Sequence, residues 1–549
     1  MTEQVDFDAD VGIVGAGPVG LTIANYLGMY GIRVVVLDGR ESLIDYPRGV
    51  GMDDESLRTF QAIGVVDQVL PHTTPNQWLR FMNSKGRCFA SIEPRAVPFG
   101  WSRRNAFIQP LVDKALLAGL DRFDHVDVRW NAECVGLDQD GSGVTVNLRD
   151  ASGGDLAPVR VRYLVGSDGG RSFVRKSIDV SWDGTSNPTR WLVVDLENDP
   201  VGTPNAYVYG NWRRPYVSIA LPHGLRRFEF MILPGEDEAT MSTPEQVDEL
   251  LRGVVPGIGK VDYIRQRVYT HHARVAGSFV VGRVAIAGDA AHLMPVWQGQ
   301  GYNSGIRDAA NLGWKLAMVV TGQAAPAILE SYDTERRGHA AAMVKISQTA
   351  GILVRQTNRY SAGLRDAITR LWDYVPPFKR YIVEMRYKPM PRYTDGVIVG
   401  GGAPNAPAAL GRLFIQPRVT TRQGASMLLD DVLGPWFAVV AWGHDPRPHL
   451  PPESMKELEA LNATIVVVRP STQLKWTDGH DESDDTDHDR IVVVGDESGA
   501  LKTWFDDQGS SIVVVRPDRF VAALARPLDL AEQISRLSSL LRGPSTVTA

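Results

Sequence analysis

Short, uniformly apolar runs alternate with stretches of helical spacing at the start of the chain. Residues 10–14 form a compact apolar run ending in glycines. Residues 21–31 repeat apolar positions at helical spacing and stop at a glycine, and residues 33–37 read RVVVL. Runs this short and this apolar fit strands buried on both faces of a parallel sheet. The pattern therefore predicts a β-α-β unit within about 30 residues. Further strands are predicted within 126–148 and at 160–165. From about 191 to 231 the pattern turns β-rich (WLVVDL, NAYVY, YVSIAL, FEFMIL), which predicts a sheet module inserted into the first fold. Residues 284–287 return to a buried strand, 303–320 read as a long helix, and helical sequence continues to about residue 387. The Gly-, Pro- and Ala-rich stretch GVIVGGGAPNAPAAL predicts a linker. Beyond it, WFAVVAWG, ATIVVVRP, RIVVVGDESG and SIVVVRPDRFVAAL predict a separate C-terminal α/β domain.

Bulk properties narrow the class. A chain of 549 residues exceeds one ordinary domain. Net charge −6 and a pI near 6.0 argue against a chain built to coat nucleic acid. No run reaches about 18 uncharged apolar residues, so no transmembrane helix is predicted. The acidic start MTEQVDFDAD runs straight into a strand, unlike a signal peptide. Cys88 and Cys134 are the only cysteines and lack CxxC or metal-ligand spacing. A cytoplasmic, disulfide-free protein without metal, membrane or nucleic-acid partner is expected. The acidic segment DGHDESDDTDHD at 478–489 reads as a solvated loop.

The candidate chemistry lies in two glycine-punctuated motifs. Gly15, Gly17 and Gly20 form GxGxxG between a strand and a helix. The first glycine permits a tight turn, the second lets backbone approach a pyrophosphate, and the third allows close helix–strand packing. The helix N-terminus then stabilises the negative charge. Ala16 and Pro18 belong to the same turn. Asp38, followed by Gly39 and Arg40, closes the second strand and fits an acceptor for a ribose 2'-hydroxyl. Far downstream, AIAGDAAH places Asp289 at the carboxyl end of a buried strand, where ligand sites of α/β sheets lie. The following LMPVWQGQGYNSG is too polar and glycine-rich for core, and it opens into a helix that offers backbone N–H groups.

Three signatures occur in order: GxGxxG at Gly15, DGxxSxxR from Asp168 to Arg175, and GDAAH from Gly288 to His292. This ordered set resembles the FAD-dependent aromatic hydroxylases, the single-component flavoprotein monooxygenases. RPDRFVA at 516–522 and the C-terminal domain without CxxC are similar to the phenol-hydroxylase branch. LIDYPRGVGMDDESLRT, RRNAFIQP, RPYVSIALPH, RRFEFM, IRQRVYTHHAR and MPVWQGQGYNSG extend the resemblance, over nearly the whole chain, to the members acting on phenylpropanoids. The acidic segment 478–489 is the clearest departure.

The resemblance implies an α/β protein with a Rossmann-like FAD-binding domain (1–180 and 270–390) and an inserted substrate-binding sheet (181–269, with parts of 75–110). A linker (391–412) and a thioredoxin-like C-terminal domain (413–549) follow. It also implies FAD as cofactor, NADH as co-substrate and O2. The reaction would be ortho-hydroxylation of 3-(3-hydroxyphenyl)propanoate and 3-hydroxycinnamate through a flavin 4a-hydroperoxide, with no metal. Asp38 would bind the adenosine ribose, Arg48 would lie on the path of the mobile flavin, and Gln109 would meet the ribityl and phosphate portion. Asp168 and Gly288–Asp289 would complete the cofactor site. Pro295 and the backbone of Gln298 to Asn303 (Gln298, Gly299, Gly301, Tyr302 and Asn303 among them) would surround the isoalloxazine ring. A carboxylate-bearing substrate calls for arginine, with Arg213, Arg214, Arg226 and Arg227 as candidates. Arg48, Tyr216, His223, Tyr269, His271 and neighbouring His272 are candidates to face the ring or phenol. A hydroxylase of another phenol or a polyketide, and a flavin-binding protein without oxygenase activity, stay open. The sequence does not fix the assembly, a homodimer being one expectation.

Overall fold

The computed structural model describes residues 6–371, 375–385, 387–474 and 491–543. The acidic segment 478–489 lies outside the described residues. The first sheet has a parallel core in the order Val284–Ile286, Asp155–Gly166, Ala9–Val14, Val34–Leu37, Val126–Arg129. Its central strands are buried on both faces, as their uninterrupted valines and isoleucines require. The helices Pro18–Met29 and Gln300–Val320 pack against each other across this sheet. An antiparallel meander, Glu133–Gln139 and Val144–Arg149, flanks it.

The second sheet has eight strands. Their order is His292–Leu293, Tyr263–Ala276, Trp182–Leu196, Arg226–Met231, Tyr216–Ala220, Ala206–Gly210, Leu79–Asn83 and Cys88–Ile92. The last two strands come from far upstream, so the module is completed by the segment before residue 110. The Tyr263–Ala276 strand runs on past residue 269 within this sheet, paired with Trp182–Leu196 as far as Ala276. One face packs Leu192, Val194, Phe228 and Phe230 against the helix Pro244–Val254. The other face looks toward the nucleotide motifs. The helices Glu330–Val354, Arg359–Leu371 and Pro376–Val383 follow.

The C-terminal unit is built on a seven-stranded sheet. Its centre is three parallel strands, Ala438–Trp442, Thr464–Pro470 and Ile491–Asp496, followed by the antiparallel hairpin Ile512–Val515 and Val521–Ala525 and the closing helix Leu530–Arg542. The glycine-rich stretch expected as a linker is a packed strap. Tyr393, Ile398, Val399 and Leu410 are buried. Val399 N donates to Ala522 O, and Val397 N to Glu335 Oε1. Its glycines serve tight turns against a core rather than freedom.

Beneath the strap lies a charge clasp. Arg516 donates to both oxygens of Glu335 (2.7 and 2.8 Å) and to Asp518. Lys315 Nζ and Asn311 Nδ2 reach the same Glu335 Oε2 (2.8 and 2.6 Å). Lys315, Glu335 and Arg516 are wholly buried. No described helix is long and apolar enough to cross a membrane, and Cys88 and Cys134 are free thiols.

Candidate functional site

One cleft of about 990 Å³ runs from the Gly15 turn to the inner face of the large sheet. Gly15, Ala16, Gly17 and Pro18 line its upper end. Gly15 has φ +106°, and a Cβ there would stand 2.6 Å from Ser167 O. A side chain is therefore excluded twice, by backbone conformation and by space. At Gly17 a Cβ would meet no atom within 4 Å and would project into the cleft. Gly20 lies outside the lining; a Cβ there would meet Gly15 O at 2.1 Å, so it sets the helix–strand approach.

Asp38 and Gly39 follow the Val34–Leu37 strand. Asp38 Oδ2 accepts from Ala16 N (2.8 Å), while Arg40 bonds both oxygens through its backbone N, Nε and Nη2. Burial works to raise the Asp38 carboxyl, but the Arg40 and Ala16 bonds outweigh it and hold it below the usual range. The carboxylate is charged and rigid. A ribose hydroxyl would share it with the half-exposed Arg40.

The second motif closes the other end. Gly288, Asp289, Gly299, Gly301 and Tyr302 line the cleft, and Arg48 Nη2 meets Asp289 Oδ2 at 3.0 Å across 241 residues of sequence. Gly299, with φ +64°, caps the Gln300–Val320 helix and directs its free N–H groups at the cleft. Gln109 Oε1 accepts from Gly49 N (2.7 Å), which fixes the Arg48 loop. The motif is held from behind by Asp308, which bonds Gly288 N, His292 Nε2 and Arg336 Nε. Burial opposes its charge, yet His292 and Arg336 keep the Asp308 carboxyl low.

The Asn303 side chain bonds Gly51 O, Gly299 O, Asp53 N and Ser56 Oγ, so it braces the loop whose backbone was expected at the ring. Pro295 precedes the Val296–Gln298 turn without lining the cleft, and the Gln298 side chain lies outside the described residues.

Besides the His271 ring nitrogens on the sheet face, three buried polar atoms on cleft-lining residues have no partner: Asp113 Oδ1, Asp168 Oδ1 and Tyr302 Oη. Asp168 spends its other oxygen on Phe173 N and Val174 N, capping a short helix. Burial pushes Asp113 up to about 7, against Gln109, Arg48 and Arg40. Buried polar atoms are rarely left unmet, so these oxygens call for a ligand bearing hydroxyls, while the free N–H groups at the Gly15 turn suit its phosphates. Asp113 was not expected; its spacing of four from Gln109 on one helix face was the available signal.

The lower cleft is one face of the large sheet, and strand alternation decides what it contains. Val193, Val208, Val217, Ile219, Arg227, Glu229, Tyr269 and His271 face the cleft. Tyr216 and Arg226 sit one residue out of phase and face away. Tyr216 stacks on Tyr209 at 4.2 Å and packs on the far-face core, and Arg226 bonds Asp199 and Ser218. Arg214 pairs with Glu236, and Arg213 is exposed beside Trp212. His223 occupies an exposed turn at φ +59°, 3.2 Å from His72. These five candidates are outside the cleft.

Arg227 does face it, but its charge is spent on Asp195 in a buried bidentate pair and on the carbonyls of Pro47 and Arg48. Tyr269 Oη donates to Glu229 Oε2 at 2.8 Å. Burial raises Glu229 above the usual range, only partly opposed by Arg227 and Tyr269. His272 lines the rim and meets Ser186 Oγ at 2.9 Å.

His271 is buried between Trp191 and Trp297, with both ring nitrogens unpartnered. Burial, then Arg355 and His272, lower its pKa from 6.5 to about 3. Between those values the unfolded chain binds the extra proton, so this group's contribution to stability falls as pH drops. From pH 7 to 5 the parent should lose up to about 2 kcal/mol more than His271→Phe in urea unfolding. Equal losses in parent and variant would refute the burial of a neutral imidazole.

Residues 8–347 match the model of the FAD binding domain family. The chain belongs to the family of FAD-dependent hydroxylases. Residues 411–540 match the HcaD C-terminal domain. The chain is 53% identical to the 3-(3-hydroxy-phenyl)propionate/3-hydroxycinnamic acid hydroxylase of Mycobacterium avium (strain 104), over 99% of this chain and 93% of that one. With the enzyme of the same name from Paraburkholderia xenovorans (strain LB400) the identity is 49%, over 96% and 91%. Among solved structures, the flavin-dependent monooxygenase PieE, in complex with FAD and substrate, superposes with TM-score 0.78 at 22% identity, covering 97% of this chain and 100% of that one. Aklavinone-11 hydroxylase, with FAD and aklavinone, gives 0.77 at 22%, covering 97% and 99%. These two share the fold. As a family member the protein binds FAD and is a flavin-dependent monooxygenase. The open space at Gly17 and the three unmet polar atoms fit that cofactor. Among the described residues no cluster of three or more His, Cys, Asp or Glu could hold a metal ion.

Proposed function

We propose that this hydroxylase inserts one oxygen atom ortho to the phenol of 3-(3-hydroxyphenyl)propanoate, and of 3-hydroxycinnamate. NADH, H⁺ and O2 would be consumed, with NAD⁺, water and the 2,3-dihydroxyphenyl acid formed. The observation that carries the reading is the capped sheet face with its Tyr269–Glu229 pair among apolar neighbours. Near-full-length identity to relatives named for these substrates supports it.

We place the cofactor along the upper cleft, its pyrophosphate at Gly15–Pro18, a ribose at Asp38 and its ribityl hydroxyls at Asp289, Asp113 and Gln109. When bound, FAD supplies the redox and oxygen-activating chemistry. The chain's own residues do the rest. Trp297, Val354, Met385 and Tyr387 pack with Trp191 on the sheet face and would exclude water from it. A phenol donating to Tyr269 Oη would join a chain ending on Glu229 Oε2, with the Tyr269 proton already directed there. That arrangement draws the phenolic proton toward the protein and raises electron density at the ortho carbon. Neutral His271 offers a second acceptor nearby. The C-terminal unit we read as thioredoxin-like, on its parallel β-α-β pair, antiparallel hairpin and closing helix, with no cysteine to make it redox-active.

The test is holoenzyme turnover with NADH, following oxygen uptake and catechol product together. One product per NADH is expected with the propanoate, and poorer coupling with NADPH or a carboxylate-free phenol. Peroxide alone, whatever phenol is offered, would remove the oxygenase reading. Equal coupling with the carboxylate-free phenol would remove the phenylpropanoid assignment. Light scattering on the same sample reads the assembly, for which a homodimer is the expectation.

A further inference from the structure

Six arginines line the cleft, and five are accounted for. Arg40, Arg48 and Arg227 each pair with a carboxylate, Arg171 is exposed, and Arg265 rests on Tyr46 with its Nη1 on Pro47 O. Arg104 differs. It enters the cleft from the segment before the Asn105–Phe107 strand, which pairs with Gly51–Met52 and Thr73–Pro75. Its Nε donates to Gln77 O at 3.1 Å, and its own carbonyl accepts from Gln77 N. Gln77 in turn is fixed by bonds to Ala220 O and Pro204 O. The guanidinium is thus held in place through one edge. Among the described residues its Nη1 and Nη2 have no hydrogen-bond partner, and no carboxylate pairs with it. Burial lowers its pKa, and Tyr387 is the one ionisable neighbour working the other way.

A half-buried cation fixed in place without a counter-ion is costly in a folded protein unless a ligand brings the opposite charge. The two remaining guanidinium nitrogens present the fork that matches a carboxylate. Around Arg104 the wall is apolar, with Leu79, Ala206 and Ile219. The Tyr269–Glu229 pair lies at the other end of the same face. From the Arg226–Met231 strand to Leu79–Asn83 is three strand steps, about 14 Å. That span leaves room for an aromatic ring and a short side chain between two polar ends.

We propose that Arg104 is the anchor for the substrate carboxylate, holding an aryl-propanoate with its ring over Val217 and its phenol toward Tyr269. This rests on the aryl-propanoate reading above, and it replaces the sheet arginines as the source of acid selectivity. Arg104 acts as a binding and positioning residue; it touches no reacting carbon.

The experiment uses the FAD-loaded full chain without NADH. 3-(3-Hydroxyphenyl)propanoate and its neutral amide are titrated against the flavin absorption spectrum, for the parent, Arg104→Gln and Arg104→Lys. In the parent, the propanoate should bind more tightly than the amide. Arg104→Gln should weaken propanoate binding roughly ten- to a hundredfold, as expected for charge-assisted hydrogen bonds. Amide binding and FAD content should stay unchanged, and Arg104→Lys should recover part of the loss. In turnover the same variants should raise KM far more than they lower kcat. Equal weakening of both ligands, no weakening, or a changed ligand-free flavin spectrum in Arg104→Gln would overturn the assignment. A parent that binds acid and amide alike would instead sink the aryl-propanoate reading itself, and that is visible before any variant is made.

Discussion

Gly17→Val should give a folded protein that is colourless as purified. The backbone at Gly17 is extended (φ −84°, ψ −179°), a conformation valine adopts readily, and a Cβ there meets no atom within 4 Å. Nothing in the fold resists the change. The new side chain would stand at the start of the Pro18–Met29 helix, where a pyrophosphate must approach free backbone N–H groups. Losing two charge-assisted bonds costs at least about 3 kcal/mol, roughly a hundredfold in FAD affinity. The comparison that isolates binding from folding is Gly15→Ala. Its methyl would collide with Ser167 O, so folding and cofactor binding should fail together. Circular dichroism and the visible flavin absorbance after FAD addition check both. A yellow Gly17→Val protein with parental affinity would move the pyrophosphate elsewhere.

The largest stability effect is expected at Arg516. The clasp under the strap balances Arg516 and Lys315 against Glu335 and Asp518, with no solvent to help. Arg516→Ala leaves a buried net negative charge and strips packing from Trp314, Tyr393 and Phe520. Breaking such a pair from one side costs about 3–5 kcal/mol. Lys315, lowered to about 8 by burial, carries a single charge and cannot balance both carboxylates. Chemical unfolding should show the loss, and Arg516→Met with Glu335→Gln should recover part of it because the buried net charge returns to zero. A full loss in the double variant would mean that packing, not charge, makes the clasp.

The glycine-lined end of the cleft was readable because its constraints are local. Gly15, Gly17, Asp38 and Gly288–Asp289 act through turns and strand ends that a few neighbouring residues define. The substrate end was not, because it depends on strand phase. RRFEFM carries an arginine on each face, and both faces are buried, one by the Pro244–Val254 helix and one by the cleft. Sequence gives no reason to prefer Arg227 to Arg226, or Val217 to Tyr216. Arg104 and Asp113 were hidden differently. Each becomes notable only by what it lacks, a partner, and a missing partner is a property of three dimensions. The strap at 393–411 misled in the opposite sense, since glycine and proline mark tight packing as readily as slack chain.

The large sheet is a partition with a structural room on one side and a chemical room on the other. Along Tyr216–Ala220 and Arg226–Met231, neighbouring residues in sequence therefore answer to different selective pressures. Drift toward a new aromatic acid can proceed through Val217 or Ile219 while Tyr216, Phe228 and Phe230 stand still. The search for altered specificity is thus confined to every second position, and a family built on this wall can diversify its substrates without renegotiating its fold.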